Sequence, residues 1–526
     1  MLPISVVLLA ACTGSDTPPE DTGPFDTGED CEEGSWFEDA DGDGFGDAAT
    51  ETVSCEQPSG TVEDGSDCDD ADAAVFPGAE EVCGDGVVND CEGTVAEAME
   101  ACPVSWDIDE AQAHSAGEGF AGWALAMDGD VDGDGVDELL VGAPDRYSEN
   151  LYGHATLISG GEATATLTTS SWGAFLGSAV ELVDTDGDGL SEVLVSAPFD
   201  YEGTGSAYLF HAPQGELGPE DADSALFGDG EGDFGIALAH GDLDGDGNED
   251  ILVGERRWHD GEANIGRAYL LLGPLDEKQS MDEGAYDAAL SGSGGSYRDF
   301  GQAVAMGDVD GDGMDDVLVG EPYGLDSSNE VGRGRVYVFL GAGLESGSAD
   351  DADAVLYGET SYEAFGSALA TADVNGDGVD DLLAGAPYAP DTSTEGSGGQ
   401  VRIFHGADDA TPDATLVGSY HSQAGAAVAS GGDADVDGLE DVLVGAPYDT
   451  SGESSGTGAA YLVLGGVEGT NDLVDAAERS LSSENEALGA SVGSGDIDGD
   501  GVPDAGVGAP FRGEVGEVLI LPGGAF

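Results

Sequence analysis

Positive charge is nearly absent from this sequence. Eleven Lys and Arg face 111 Asp and Glu among 526 residues, a formal charge of −100, and that balance excludes nucleic acid, whose phosphates would be repelled rather than held. Cysteine stops at Cys102, so any disulfide stapling is confined to the N-terminal part. The apolar stretch at residues 1–11, MLPISVVLLAA, is too short to span a bilayer. No segment carries helical periodicity of useful length. The seven histidines are scattered, with no HExxH or comparable zinc pairing. The GxSxG match from Gly489 to Gly493 falls in a strand, where no strand-to-helix elbow is expected. Catalytic sets are therefore thin. In abundance are acid and glycine, 89 residues of the latter, placed between strand-like runs in the manner of turns in an all-β protein rather than of disorder.

An acidic nine-residue loop returns seven times. Its clearest copy is Asp308, Val309, Asp310, Gly311, Asp312, Gly313, Met314, Asp315, Asp316. Oxygen-bearing side chains stand at positions 1, 3, 5 and 9 of this loop, a backbone carbonyl at 7, and glycine where the chain must bend. A hard divalent cation asks for that set, and calcium is the expected ion. The other copies offer Asp130, Asp132, Asp134 and Glu138; Asp184, Asp186, Asp188 and Glu192; Asp242, Asp244, Asp246 and Asp250; Asp373, Asn375, Asp377 and Asp381; Asp433, Asp435, Asp437 and Asp441; and Asp496, Asp498, Asp500 and Asp504. The carbonyls at position 7 belong to Val136, Leu190, Asn248, Met314, Val379, Leu439 and Val502. In the sixth copy Val436 replaces the usual glycine. Successive copies lie 54 to 66 residues apart, the mark of a repeat architecture. About seven calcium ions are expected in the repeats, in a structural role: clustered carboxylates repel one another until an ion fixes the turn and adds its binding energy to stability.

The first hundred residues are of a different kind. Leu9, Ala10, Ala11 and Cys12 resemble a bacterial lipobox, which implies a signal peptide over 1–11, lipidation of Cys12 and, with Thr13 following, the outer membrane. Residues 12–30 mix Thr, Pro, Gly, Ser and acid and read as a tether unable to bury a core. Residues 31–103 hold Cys31, Cys55, Cys68, Cys83, Cys91 and Cys102, an even set suited to a small disulfide-stapled module, with fifteen pairings open. Asp39, Asp41, Asp43 and Asp47, with the Phe45 carbonyl, repeat the loop chemistry, and SDCDDADAAVFPGAEEVCGDGVVNDCEG follows. This segment resembles a Cys/Asp-rich metal-binding motif of bacterial surface proteins, from which Val87, Val88 and Glu92 depart. One more calcium, or a disulfide spacer whose acids are merely solvated, would each account for it.

From residue 104 onward one repeat unit can be read. Phe300, Gly301 and the alternating QAVAMG form a strand, the metal loop turns it, DVLVGEP forms a second, GRGRVYVFLG a third and DAVLYG a fourth. Four short antiparallel strands repeated seven times are the blades of a seven-bladed β-propeller. Phe-Gly recurs at Phe234/Gly235, Phe300/Gly301 and Phe365/Gly366, loosened to Phe120 with Gly122 and Phe175 with Gly177, and degraded to Ala424/Gly425 and Leu488/Gly489. Gly-Ala-Pro stands at Gly142, Gly385, Gly445 and Gly508, with Ser196, Glu321 and Arg256 as departures in the other copies. The order FG, DxDGDGxxD, GAP resembles the FG-GAP repeat, as in integrin alpha subunits and many bacterial secreted proteins. The seventh unit ends at GEVLILPGGAF without room for a fourth strand, so the segment from Trp106 to Ala113 is expected to complete it and close the ring.

After each GAP element come aromatics, Phe199, Tyr323, Tyr388, Tyr448 and Phe511, with Tyr147 and Trp258 nearby; Arg146, Arg256, Arg257, Arg333 and Arg512 gather there too. They form either a face for an acidic or carbohydrate ligand, or inter-blade packing with arginines that relieve repulsion. The resemblance implies an exported, lipid-anchored, calcium-binding surface protein that binds a protein or glycan without catalysis. The alternative is an extracellular hydrolase or lyase, which would need acids or a His in the central funnel, outside the metal loops.

Overall fold

In the computed structural model the chain divides into two compact units, with the boundary between residues 82 and 99. The residues described are 34–40, 45–46, 48–50, 52–55, 57–62, 64–68, 75, 77, 91 and 112–114, and 120–524 apart from 145–151, 201–202, 229–231, 260, 262, 276–278, 282–283, 294–297, 325–331, 342, 391–396, 407–410, 450–457, 483–486 and 513–515. The expected signal peptide, Cys12 and its tether, Cys31, Cys83, Cys102, Asp41, Asp43, Asp47, Trp106, Arg146 and Tyr147 lie outside them.

The N-terminal unit holds a three-stranded sheet with Gly34–Glu38 between Thr52–Ser54 and Thr61–Val62. Trp36 Nε1 donates to the Ser54 carbonyl at 3.2 Å, and the Thr50 hydroxyl accepts from the Glu38 N–H at 2.8 Å. Cys68 is bonded to Cys91, so neither sulfur is a free thiolate able to ligate a metal beside Asp67. Cys55 is also in a disulfide.

In the second unit the apolar runs between acidic loops are strands. Blade 4 shows the plan: Val304–Gly307, Asp316–Glu321, Arg335–Phe339 and Ala354–Tyr357, each antiparallel to the next. Among the described residues seven such sheets follow one another. Their innermost strands touch in order round a ring, Val492–Gly495 returning to Ala124–Ala126. The fourth strand of the last blade is Gln112–His114, with Leu519 opposite Ala113, so the blade is completed from the end of the expected segment, whose residues 106–111 lie outside the described ones.

The core lies between blades rather than at the centre. The second strand of every blade is buried along its whole length, as in the DVLVGE of Asp316–Glu321, because each blade is sandwiched by two others; this explains a continuous apolar run where one-sided burial would give alternation. Seven apolar clusters each join one blade to the next, the last bringing Met127, Leu139 and Val141 against Val518 and Ile520.

The Phe-Gly and Gly-Ala-Pro elements are two halves of one inter-blade contact. A Cβ on Gly445 would meet the Gly489 carbonyl of the next blade at 2.2 Å, and one on Gly508 would meet Gly122 O at 2.2 Å across the closure. Only glycine permits backbones so close. The residue before the Phe position has positive φ in all seven blades: Phe120, Phe175, Asp233, Asp299, Ala364, Gln423 and Ala487. In the first two copies this shifts the motif by one place from the sequence reading. The buried anchor position is filled by Ala121 and Leu176, while Phe120 and Phe175 turn out to meet Phe511 and Phe199 edge-on at 5.4 and 5.3 Å.

Outer edges are partly covered in a way the sequence did not suggest. Gly215–Leu217, Gln279–Ser280, Gly347–Ser348 and Gly469–Asp472, each from the connection before a fourth strand, add in parallel to the edge of the preceding blade. These additions occupy strand edges that would otherwise invite pairing with other chains.

Candidate metal centres and the opposite face

Each acidic loop joins the first strand of its blade to the second. In the fourth, Asp308 is the hub: Oδ1 accepts from the N–H groups of Gly311 and Asp312 at 2.7 and 3.0 Å, and Oδ2 from Gly313 at 2.8 Å. Asp130, Asp184, Asp242, Asp373 and Asp496 hold their glycines in the same way. These bonds curl the loop so that its carboxylates converge. Ligand atoms of Asp242, Asp244 and Asp246 lie within 4.8 Å of one another, as do those of Asp130, Asp132, Asp134 and Glu138. The donor set is all oxygen and strongly anionic, which fits a hard divalent cation. In the sixth loop Val436 takes the left-handed conformation at φ 59°. Its N–H turns to the Asp433 carbonyl oxygen at 3.4 Å, so the loop closes, at the cost of a β-branched residue where glycine is at ease.

Position 9 has a structural duty beyond that expected of a ligand. Asp316, 1% exposed, accepts from the Val309 N–H at 3.0 Å and the Gly341 N–H at 2.7 Å, tying the loop to the end of the third strand. Asp250, Asp441 and Asp504 make the same pair of bonds, while Asp381 accepts from Val374 N–H and from Asn375 Nδ2. In the second loop the longer Glu192 lies 3.4 Å from His211 Nε2 and clusters with Asp186 as well. Burial, reinforced by neighbouring aspartates, pushes Asp250, Asp316, Asp381 and Asp504 up to about 6 and Asp441 to about 7. Each loop thus holds a carboxyl group that is costly to ionise until positive charge arrives.

Sequence reasoning missed position 8. The Asp315 N–H donates to the Asp242 carbonyl in the preceding blade at 3.0 Å, and its carboxylate accepts the Asp242 N–H at 2.8 Å. Glu249 caps Asp184, Asp380 caps Asp308, and across the closure Asp137 caps Asp496. Paired acids at the end of five of the seven loops were the available signal, Ser191 standing at position 8 in the second. In the seventh loop Pro503 replaces the acid, has no N–H to donate, and packs near Gly432.

The GAP loops emerge at the other end of each blade, because the second strand runs away from its metal loop. Tyr323, Tyr388, Tyr448 and Phe511 are 43 to 50% exposed there, on four successive blades. Three of their N–H groups bond equivalently placed carbonyls, of Arg298, Glu363 and Ser422. The arginines are engaged. Arg256 Nε and Arg257 Nη1 meet Asp233 at 3.0 and 3.3 Å, Arg512 Nε meets Glu517 at 2.9 Å, and Arg267 lies 3.3 Å over the Trp258 ring. Between the faces, buried acids pair with tyrosines: Glu321 with Tyr337 and Glu255 with Tyr269 at 3.0 Å, and Asp200 with Tyr208 at 2.7 Å.

With this geometry in view, residues 121–156, 176–210, 234–271, 300–339 and 365–404 match the family model described as FG-GAP repeat. Five FG-GAP repeats therefore stand in this chain. They fall on the first five blades of the propeller. Residues 67–97 match the model described as "Putative metal-binding motif". The chain is 34% identical over 229 residues to integrin alpha-5 of Xenopus laevis, covering 41% of this chain and 20% of the relative. It is 34% identical over 214 residues to integrin alpha-PS2 of Drosophila melanogaster, covering 40% and 14%. Over 164 residues it is 35% identical to phosphatidylinositol-glycan-specific phospholipase D of Homo sapiens, covering 30% and 19%. The chain therefore spans about a fifth or less of the length of these relatives. Among the described residues no helix is long and apolar enough to cross a membrane.

Proposed function

We propose that this FG-GAP propeller is a calcium-loaded, exported surface protein that binds a protein or glycan without catalysis, held at the membrane through a lipid on Cys12. The observation that carries this reading is the division of labour between the two ends of each blade. At one end carboxylates converge into cation cages. At the other, half-exposed rings stand on successive blades, with amphipathic Tyr well suited to stacking on sugars or on a protein partner. Likeness to integrin alpha subunits supports a ligand-binding or adhesive role and remains a likeness of fold, because function resides in sites.

In each loop the side chains at positions 1, 3, 5 and 9 would hold the ion, and the ion would supply the positive charge that lets position 9 ionise while it pins the loop. The module around Cys68 and Cys91 would add one more site if its loop binds as the others do. Screening the purified protein against glycan and cell-surface arrays, with calcium and with chelator, tests the reading. Calcium-dependent binding that falls at least tenfold when Tyr323, Tyr388 and Tyr448 are changed together to Ala is expected. Binding unaltered by either treatment would remove the aromatic face from consideration. An enzymatic reading has one specific observation in its favour: His240 lines the central channel together with Asp128 and Glu181.

A further inference from the structure

The ring of inner strands encloses a channel of about 460 Å³. Toward its metal-loop end stand Asp128, Glu181 and His240, from the first three blades. Behind His240, Glu249 Oε2 lies 3.2 Å from Nδ1 and is itself anchored by the Asp184 N–H at 2.7 Å. This contact places the proton on Nδ1 and aims Nε2 at the channel. Nε2 then faces Asp128 Oδ2 at 3.7 Å and Glu181 Oε2 at 3.9 Å. Both separations are too long for hydrogen bonds. Nε2 thus stands within 4 Å of two carboxylate oxygens that share its end of the channel. Asp128 and Glu181 keep 55% and 24% of their side-chain surface open, so an ion can enter from the channel.

We propose that His240, Asp128 and Glu181 form a site for one divalent transition metal of the zinc class, chemically distinct from the all-oxygen loops. An imidazole nitrogen with two carboxylates suits zinc, cobalt, nickel or iron better than calcium, which takes oxygen. Glu249 is the positioning residue, the carboxylate that fixes the tautomer of a metal-bound histidine. Three protein ligands facing an open channel leave room for water or a ligand on the metal, the arrangement found in catalytic rather than structural sites. The site stands on the channel alone and is independent of the calcium reading.

The test uses the full chain, saturated with calcium and titrated with Co(II) and then Zn(II). One additional equivalent of Co(II) with visible d–d absorption, displaced by Zn(II), is expected. His240→Ala should abolish it, and Glu249→Gln should weaken it about 10- to 100-fold. Location can be read without any variant. Met127 and Met306 line the channel, whereas Met314 sits in the fourth loop, so bound Co(II) should broaden the first two methyl resonances and spare the third. Absence of uptake in calcium, uptake unaffected by His240→Ala, or broadening of Met314 alone would each overturn the site.

Discussion

At the scale of single residues the fold depends on atoms that are missing. Adding a methyl group at Gly445 places carbon 2.2 Å from the Gly489 carbonyl, so Gly445→Ala should cost about 2–3 kcal/mol, the penalty of overpacking, measured by urea unfolding. Blade 2 shows the limit of tolerance. Ser196 occupies the equivalent place, a Cβ added to Gly235 opposite would meet Ser196 Cβ at 3.0 Å, and the buried Ser196 hydroxyl accepts from the Ala179 N–H and donates to its carbonyl at 3.0 and 3.2 Å, so Ser196→Gly should cost about 1 kcal/mol through those bonds. The departure from Ala at Glu321 also has a local reason. Its carboxylate, 0% exposed, accepts from the Tyr337 hydroxyl; in blades 2 and 6, whose GAP element has no acid, Asp200 and Asp449 just beyond it accept from Tyr208 and Tyr461 instead, and blades 1 and 7 carry Thr156 and Leu519 in place of the tyrosine. Burial raises Glu321 to about 7 against the charge of Arg335 and the Tyr337 bond. A raised carboxyl binds more protons in the folded state, so its contribution to stability is present below the ordinary carboxylate range and is lost as pH rises toward 7. Tyr337→Phe should therefore cost about 1–3 kcal/mol at pH 8 and less at pH 5. Adding Glu321→Ala should recover part of the loss, with Arg335 then short of a partner; additive single effects in that double-mutant cycle would count against the pairing.

At the scale of elements, legibility followed sequence distance. The metal loops were readable because hub and ligands lie within nine residues. The links between loops were not, because Asp315 and the Asp242 N–H it caps are 73 residues apart and meet only once neighbouring blades stack. Glu321 and its tyrosine, 16 residues apart on two strands, were hidden for the same reason, and His240 gained significance only when three blades brought Asp128, Glu181 and Glu249 around it. The loop electrostatics lead to a pH prediction with a definite sign. Position 9 carboxyls raised to about 6, and to about 7 at Asp441, favour the proton-binding folded state, so the cation-free protein should lose stability between pH 5 and pH 8. A cation requires the ionised form and should remove that loss. The calcium-dependent rise in melting temperature, compared with excess EDTA, is thus expected to be larger at pH 8 than at pH 5. Equal increments at the two pH values would show that position 9 does not respond to the ion. At the junction between blades, Asp315→Ala should cost about 1 kcal/mol, one net hydrogen bond, and should persist in EDTA because the cap joins protein to protein.

At the scale of the whole molecule, stability is a property of the ring. Seven clusters each join two neighbouring blades, and among the described residues no central core substitutes for them. A break at one junction therefore exposes two apolar faces, and the junction most open to a break is the one closed by residues from opposite ends of the propeller sequence. Three devices hold it: Gln112–His114 pairs with the last third strand, Gly122 backs onto Gly508, and Asp137 caps Asp496. The strand is the one that can be removed without touching a blade interior. Deleting residues 1–119 should leave Val518 and Ile520 beside an unpaired strand edge, lowering the melting temperature by about 5 °C and promoting association through the exposed edge, visible as concentration-dependent sedimentation. Deleting only residues 1–103 retains the closing strand and should leave the propeller transition in place. If both truncations melted alike, the ring would be held by the glycine contact and the Asp137 cap alone, and the N-terminal strand would be an ornament on a blade already complete with three.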